Sequence, residues 1–533
     1  MSESECISYQ NSGYFIKLIT DYLDEKPELK SLYHRFPHLE NFKLQLEEKS
    51  KNFNSSNNIK RQILVNALEK QYSSLDTSNG TSNNIRSLNE SNTFTITTGH
   101  QLNLFTGPLY FLYKIISVIN LCKELKTRYP ENNFVPIYWM ATEDHDFEEI
   151  NHFQFKDQKI SWNKESFGPV GRLSTEGLDE VFEKFEKELG VGENAQFLKN
   201  LFQKGYLKHS NLADATRYIA NELFKNEGLV ILDGDSVELK KLFIPFAKEE
   251  LLKQTSFSKV TETAEVLKDY NIQVNPREIN LFYIEDNLRE RVVHENDRYQ
   301  VLNTDISFTE SEILAELENH PEKFSPNVIL RPLYQEVILP NLCYIGGGGE
   351  IAYWLELKSN FEAFNITFPI LLVRNSVVLA TLKQQKKAEK LGLSWSDLFS
   401  KQNDLITKKT NELSTINVDF SSQKQFLKQQ FEDLYKIAEA TDESFFGAVK
   451  AQEIKQVKGL ENLEKKFLKA EKRIHREELE RITSLQNELF PNQSLQERKF
   501  NFSAFYLESG DNLIRELLQN LKPLDSNFTI ITL

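Results

Sequence analysis

The stretch "TITTGHQLNLFTGPLYFLYK", residues 95–114, opens as an apolar, threonine-rich run, passes through a glycine and a histidine, and enters an apolar helix. Such a short run predicts a buried strand, and the longer "LYFLYKIISVINLCKEL" after it predicts a helix. Strand, turn and helix in that order build open parallel sheets, where ligands gather beyond the carboxyl ends of the strands. Working outward, "FVPIYWMAT" (134–142), "GLVILD" (228–233), "INLFYIE" (279–285) and "FPILLVR" (368–374) read as further strands of the same sheet, with helical stretches between them. The predicted class is α/β with a parallel-sheet core.

Around that core the chain divides by composition. A polar connector at 72–92, "YSSLDTSNGTSNNIRSLNESN", closes an N-terminal helical segment (1–90) packed on the core. The core occupies 91–377, with insertions at about 155–225 and 286–328, both read as largely helical and charged. From 378 to 490 glycine and proline nearly vanish, which predicts a helical coiled-coil arm. Leu460, Leu463, Phe467, Ala470 and Ile474 recur at spacings of three and four, and after a phase slip Leu479, Ile482, Leu485 and Leu489 resume the stripe. Breaks or caps at "NVDFSSQ" (417–423) and "ATDESFFG" (440–447) predict an antiparallel arm, and 491–533 returns to the core through a strand at "NFTIITL". An apolar stripe of that length would pair with a second copy, so a homodimer is expected.

Composition narrows the partners. With 40% hydrophobic and 27% charged residues the chain is globular, and its 533 residues suffice for two to four packed units. A formal charge of -14 disfavours nucleic acid. The absence of a signal-like N-terminus and of any apolar run of bilayer length predicts a cytoplasmic protein without membrane contact. Cys6, Cys122 and Cys343 are too scattered for a disulfide framework or a zinc knuckle, and reduced thiols are expected.

Three places carry chemistry. At the first strand end, Thr98, Gly99, His100 and Gln101 stand before Asn103, Thr106, Gly107 and, one helical turn on, Lys114. Gly99 permits close backbone approach, and His100 can donate to an oxygen or move a proton; Thr98 and Asn103 equally suit helix caps, and His100 a satisfied turn. At the second, "IYWMATEDHDFEEINH" runs through Trp139 into Glu143, Asp144, His145 and Asp146, where carboxylates beside an imidazole can orient an amine, take its proton or hold a metal. Ligation by Asp144, His145, Asp146 and His152 matches no closed zinc spacing, and no metal site is predicted. The third, "SPNVILRPLYQEVILPNLCYIGGGGEIAYWLELK" (325–358), offers Arg331 and Gln335 to clamp an anion, a glycine run (Gly347, Gly349) to cradle one, and Glu350, Tyr353 and Trp354 on the helix that follows.

Taken together, "TTGHQLNLFTGPLYFLYK", "WMATEDHDFEEINH", "FSPNVILRPLYQEVILPNLCYIGGGGEIAYW" and "LFPNQSLQERKFNF" resemble the bacillithiol biosynthesis cysteine-adding enzyme family over nearly the whole chain. The resemblance implies a Rossmann-like core with two connecting insertions, dimerisation through the C-terminal coiled coil, and joining of L-cysteine to glucosaminyl malate. His100 stands where many relatives carry glutamine, and Gly346-Gly347-Gly348-Gly349-Glu350 where they commonly carry Gly-Gly-Pro-Gly-Glu. A carboxylate does not condense with an amine in water without activation, so ATP or another nucleotide is implied, through an acyl adenylate or an acyl phosphate. The chain lacks the lysine-serine-lysine loop that helps class I synthetases neutralise pyrophosphate. The expected catalytic residues are His100, Asp144 and His145, with Asp144 or His145 accepting the amine's proton and Arg331 holding a carboxylate. A nucleotide-binding scaffold without chemistry of its own, or a pantothenate-synthetase-like ligase for another acid and amine, are the competing readings.

Overall fold

In the computed structural model, which describes residues 7–54, 58–416 and 419–533, five parallel strands form the central sheet. They are β1 (Thr93–His100), β2 (Asn133–Met140), β3 (Val230–Asp233), β4 (Asn341–Gly346) and β5 (Ile370–Val373), in spatial order β5-β4-β1-β2-β3. Pairing places His100 beside Met140, Met140 beside Asp233, and Gly346 beside Val373, so the carboxyl ends share one edge. All of β1 is buried because both faces of the sheet are covered. Phe94 and Ile96 join an apolar cluster with Val118, Leu121, Leu342 and Ile345. On the other face the Thr95 and Thr97 hydroxyls donate to Asn341 Oδ1 at 3.2 and 2.9 Å. Asn341 donates in turn to Glu336 (2.6 Å), which pairs with the buried Lys49 (2.9 Å). The threonines that make β1 look half polar are thus fully satisfied inside the core.

Three helices lead away from this edge or toward it: α1 (Tyr110–Arg128), α2 (Arg331–Ile338) and α3 (Gly348–Leu355). The insertion at 155–225 is helical after a short hairpin, with helices at Leu178–Leu189, Glu193–Tyr206 and Leu212–Phe224.

Two expectations are corrected here. Residues 279–285 do not belong to the parallel sheet, and 286–328 is not largely helical. Leu281–Glu285, Leu288–Glu295, Arg298–Val301, Ser307–Phe308 and Phe324–Pro326 build a separate five-stranded antiparallel sheet, with one α-helix at Glu310–Asn319. The turn between two of its strands is carried by Asn296 and Asp297, both with left-handed φ (51° and 58°), the signature of a tight hairpin turn. In sequence those charged, alternating strands imitate an exposed helix. The fifth parallel strand is instead β4, which Pro340 and the glycine run disguised as a loop.

The chain forms two compact units. One comprises Ser8–Leu379 and Gln496–Ile531 and contains the sheet; the other is essentially Ala380–Leu495. The second unit opens at Ala380, the last residue of the strand Val377–Ala380. Within it α4 (Ser421–Glu439) and α5 (Glu443–Ile474) run antiparallel, as the Tyr435–Glu453 and Lys424–Glu464 contacts require. Asp442 caps α5 through Phe445 N (2.7 Å). The break expected within 417–423 falls partly outside the described residues, as does Cys6. The phase slip in the stripe is a helix break at His475, after which α6 (Arg476–Leu489) buries Leu479, Ile482, Leu485 and Leu489. Residues beyond the arm rejoin the first unit: α7 (Phe502–Ser509) follows, and Thr529 N donates to Ser376 O (3.0 Å) in the last strand. Among the described residues no helix is long and apolar enough to cross a membrane.

Candidate active site

The three chemistry-bearing stretches meet at the carboxyl edge of the sheet, in a cleft of about 650 Å³. Gly99 stands at its floor because a Cβ there would lie 3.1 Å from the Tyr344 hydroxyl and 3.9 Å from Arg331 Nη1. Lys114 reaches back from the first turns of α1, donating to Gly99 O (2.7 Å) and pairing with Glu350 (2.5 Å). Glu350 sits in the first turn of α3 and also accepts from Tyr344 Oη (2.8 Å) and Gly347 N (2.9 Å). Burial alone would raise its carboxyl, but the Lys114 charge and these hydrogen bonds hold it below the usual range. Glu350 is thereby a fixed anion that ties β4, α1 and α3 together.

Cationic donors surround this tie. Arg331 lies within 6.0 Å of the ring centres of Trp139, Tyr344 and Trp354 and beside the Tyr353 hydroxyl; its Nη1 donates to Gln335 (3.1 Å), while Nη2 meets no well-aligned acceptor among the described residues. Arg374 follows β5. Its Nη2 donates to Glu497 (2.7 Å) and its Nη1 to Asn375 O (2.9 Å), leaving Nε without an acceptor, close to Gly347. Arg289 and Arg498 complete the basic lining. With Arg289 Nε, Arg331 Nη2 and Arg374 Nε make three guanidinium nitrogens of the lining that meet no acceptor among the described residues, and they suit carboxylate or phosphate oxygens, the groups a nucleotide or a dicarboxylate would bring.

Asp144 is a cleft carboxylate without a lysine or arginine in direct contact among the described residues. Its Oδ2 accepts from Gln101 (3.1 Å) and its Oδ1 from His145 N (2.8 Å). Burial would raise it, but the hydrogen bonds from His145 and Gln101 and the Arg289 charge together hold it well below the usual carboxylate range. Glu143 is committed elsewhere, 2.6 Å from the buried Lys240. His145 turns away from the cleft; Arg289 Nη1 donates to its Nδ1 (2.6 Å), so that nitrogen carries no proton. Asp144, His145 and Asp146 have ligand atoms within 4.8 Å of one another, but the Arg289 cation already occupies that corner, and His152 Nδ1 is engaged with Asn151 (3.0 Å).

Of the residues singled out from sequence, Gly99, His100, Gln101, Lys114, Trp139, Glu143, Asp144, Arg331, Gly347, Gly349, Glu350 and Tyr353 line the cleft. Thr98 does not: it is buried, its hydroxyl bound to Ile345 O (2.7 Å). Gln335 and Trp354 are buried behind Arg331, Trp354 stacking on Tyr344 at 4.4 Å. Asn103, Thr106 and Gly107 form a loop behind His100 and are not on the wall. Sequence reasoning missed Tyr110, Arg289, Tyr344, Arg374 and Arg498. Arg498 is marked in sequence only by the charged run "LQERKF".

His100 is 6% exposed and packs between Tyr110 and Phe111. Burial, reinforced by the Lys114 charge, pushes its imidazole well below the ordinary value of 6.5. The folded state therefore binds fewer protons than the unfolded chain below that value, and this group's contribution to stability is present above pH 6.5 and lost as the pH falls. Replacing His100 by glutamine should flatten the decline of stability below about pH 6.5, measured as denaturation midpoints of the two proteins across pH 5 to 8; parallel curves would contradict the assigned ionisation.

A family model described as "Bacillithiol biosynthesis BshC, N-terminal Rossmann-like domain" matches residues 2–375, and "Bacillithiol biosynthesis BshC, C-terminal coiled-coil domain" matches 377–533. A protein of Flavobacterium johnsoniae named "Putative cysteine ligase BshC" is 66% identical over 99% of this chain and 100% of its own length. Proteins of the same name from Cytophaga hutchinsonii and Bacillus cereus are 38% and 28% identical, covering 98% and 94% of this chain and 98% and 95% of theirs.

Proposed function

The chain belongs to the bacillithiol biosynthesis BshC family, and from that premise we propose that it is a ligase that joins L-cysteine to glucosaminyl malate through an amide bond, the last step of bacillithiol formation. The observation that carries the reading is the presence, on one cleft, of a carboxylate held ionised at Asp144 and of guanidinium donors left open at Arg331 and Arg374. An amine and two carboxylate-bearing substrates need that complement. ATP or another nucleotide would activate the cysteine carboxyl, its phosphates meeting Arg374, Arg498 and the backbone of Gly347 to Gly349.

The protein's own part is to hold and orient. Arg331 takes the malate carboxylate with a planar fork. Asp144 receives the amine. Because its carboxyl is held so acidic, it acts first as a fixed negative charge that stabilises the positive charge growing on nitrogen during attack, and only second as a proton acceptor. His145, whose Nδ1 is taken by Arg289, is the weaker candidate for that proton. Purified protein incubated with cysteine, glucosaminyl malate and ATP should release the amide product together with AMP or ADP. No product with any nucleotide would favour the scaffold reading, and product only with a different acid and amine the third.

We also propose that the arm joins two copies. Phe426, Leu434, Ile437, Ile454, Leu463 and Ile474 are exposed on it, Leu463 by 55% and Ile474 by 71%. Together they leave apolar surface along the arm that a second copy would cover. Leu463→Glu with Phe467→Glu should halve the mass measured by light scattering, and an unchanged mass for a dimeric parent would count against this surface.

A further inference from the structure

Asn103, Thr106 and Gly107 stand out in the sequence, yet no residue of 103–107 is on the cleft wall. Their backbone is unusual. Phe105 (φ 48°) and Thr106 (φ 69°) both adopt left-handed conformations that L residues avoid, and Gly107 follows at φ 64°. Only Gly107 takes such a conformation without cost, and a Cβ on it would sit 2.6 Å from Asn103 Cβ. A loop strained at two successive side-chain-bearing residues persists only where its surroundings over-determine it.

Those surroundings come from far along the chain. The Phe105 ring lies 5.2–5.6 Å from the rings of Phe153, Phe185, Phe202 and Phe502, and Phe105 N donates to the Tyr206 hydroxyl (2.7 Å). The fully buried Asn501 completes the clamp. Its Nδ2 donates both to Phe105 O (2.7 Å) and to Gly107 O (2.5 Å), while its Oδ1 accepts from Ser503 N (3.0 Å) and caps α7. Two donors and one acceptor on a short side chain are what only asparagine supplies: aspartate lacks the donors, and glutamine is a methylene too long.

Between the two carbonyls that Asn501 fixes lies the Thr106 carbonyl, and His100 Nε2 lies 3.4 Å from it. A carbonyl only accepts, so the proton of a neutral imidazole belongs on Nε2, and Nδ1 is left as the lone-pair nitrogen. We propose that Asn501 is a positioning residue: through the strained Phe105–Gly107 loop it aims the Thr106 carbonyl at His100 and so sets the tautomer that this histidine presents in the cleft. The catalytic half of this inference rests on the cleft being the ligase site; the tautomer half does not.

Two variants separate positioning from helix capping. Both variants keep an oxygen that can cap α7: Asn501→Asp deletes both donors that hold the loop, and Asn501→Ser leaves at most one, on a shorter side chain that cannot bridge both carbonyls. In protein labelled with ¹⁵N-histidine, the His100 ring signals, assigned by their loss in His100→Gln, should report a single Nε2–H tautomer in the parent and a mixture in both variants. With the ligase substrates, kcat should fall at least about tenfold with KM changed less than about threefold. A parental His100 spectrum in the folded variants, or parental kcat in Asn501→Ser, would overturn the assignment. Should one variant fail to fold, the other decides alone. The spectrum needs no substrate, so a parent without ligase activity would sink the functional reading while the tautomer result still decides the role of Asn501.

Discussion

Glu497→Ala is expected to cost the sheet-bearing unit about 3–5 kcal/mol. Glu497 is 1% exposed and serves three donors at once: Arg374 Nη2 (2.7 Å), Ser376 Oγ (3.1 Å) and Val377 N (3.1 Å). Removing it strands a guanidinium that is itself 5% exposed. An unpaired buried charge is far more expensive than a pair replaced whole, so Arg374→Met combined with Glu497→Leu should recover part of the loss. Denaturant midpoints of the three variants measure this. Equal stability of Glu497→Ala and the parent would mean that the pair is solvated and contributes little.

The second large effect is kinetic. Asp144→Asn should lower kcat about a hundredfold or more while leaving the fold intact, because the amide oxygen can still accept from one of the two donors around it but the negative charge is gone. Arg331→Lys should differ in kind: a point charge replaces a planar fork, so the apparent KM for glucosaminyl malate rises with kcat less affected. Both are read in the same steady-state assay. Parental turnover in Asp144→Asn, or a defect confined to kcat in Arg331→Lys, would overturn the assigned roles and leave the family membership untouched.

The fold was legible where burial is two-sided. β1, β2, β3 and β5 announce themselves as short apolar runs because helices cover both faces of the sheet, and their order along the chain already implied a shared edge. β4 did not, since Pro340 and four glycines frame it like a turn. The antiparallel sheet was misread for a related reason: "LRERVVHE" buries little, and charges on alternate positions carry no sign of which period matters. The cleft shows the same division. Residues at strand ends were found because position in the sheet locates them. Arg289, Arg374 and Arg498 reach the cleft from a hairpin, from the residue after β5 and from beyond the arm, and no local pattern marks an arginine that tertiary structure alone brings home. Thr98 and Trp354 err the other way: they are neighbours in sequence to cleft residues, but the strand and helix periods turn them inward.

The placement of Glu497, Arg498 and Asn501 also bears on how the protein comes into being. All three follow the whole of Ala380–Leu495 in chain order, although they complete a unit whose sheet ends at Val373. At synthesis rates of about 5–20 residues per second, a ribosome spends on the order of ten seconds on the intervening stretch. Throughout that interval Arg374 waits without its counter-charge and the Phe105 loop without its clamp. A nascent chain can thus build its parallel sheet early, while the groups that neutralise Arg374 and lock the Phe105 loop arrive only after the intervening helical unit has been made.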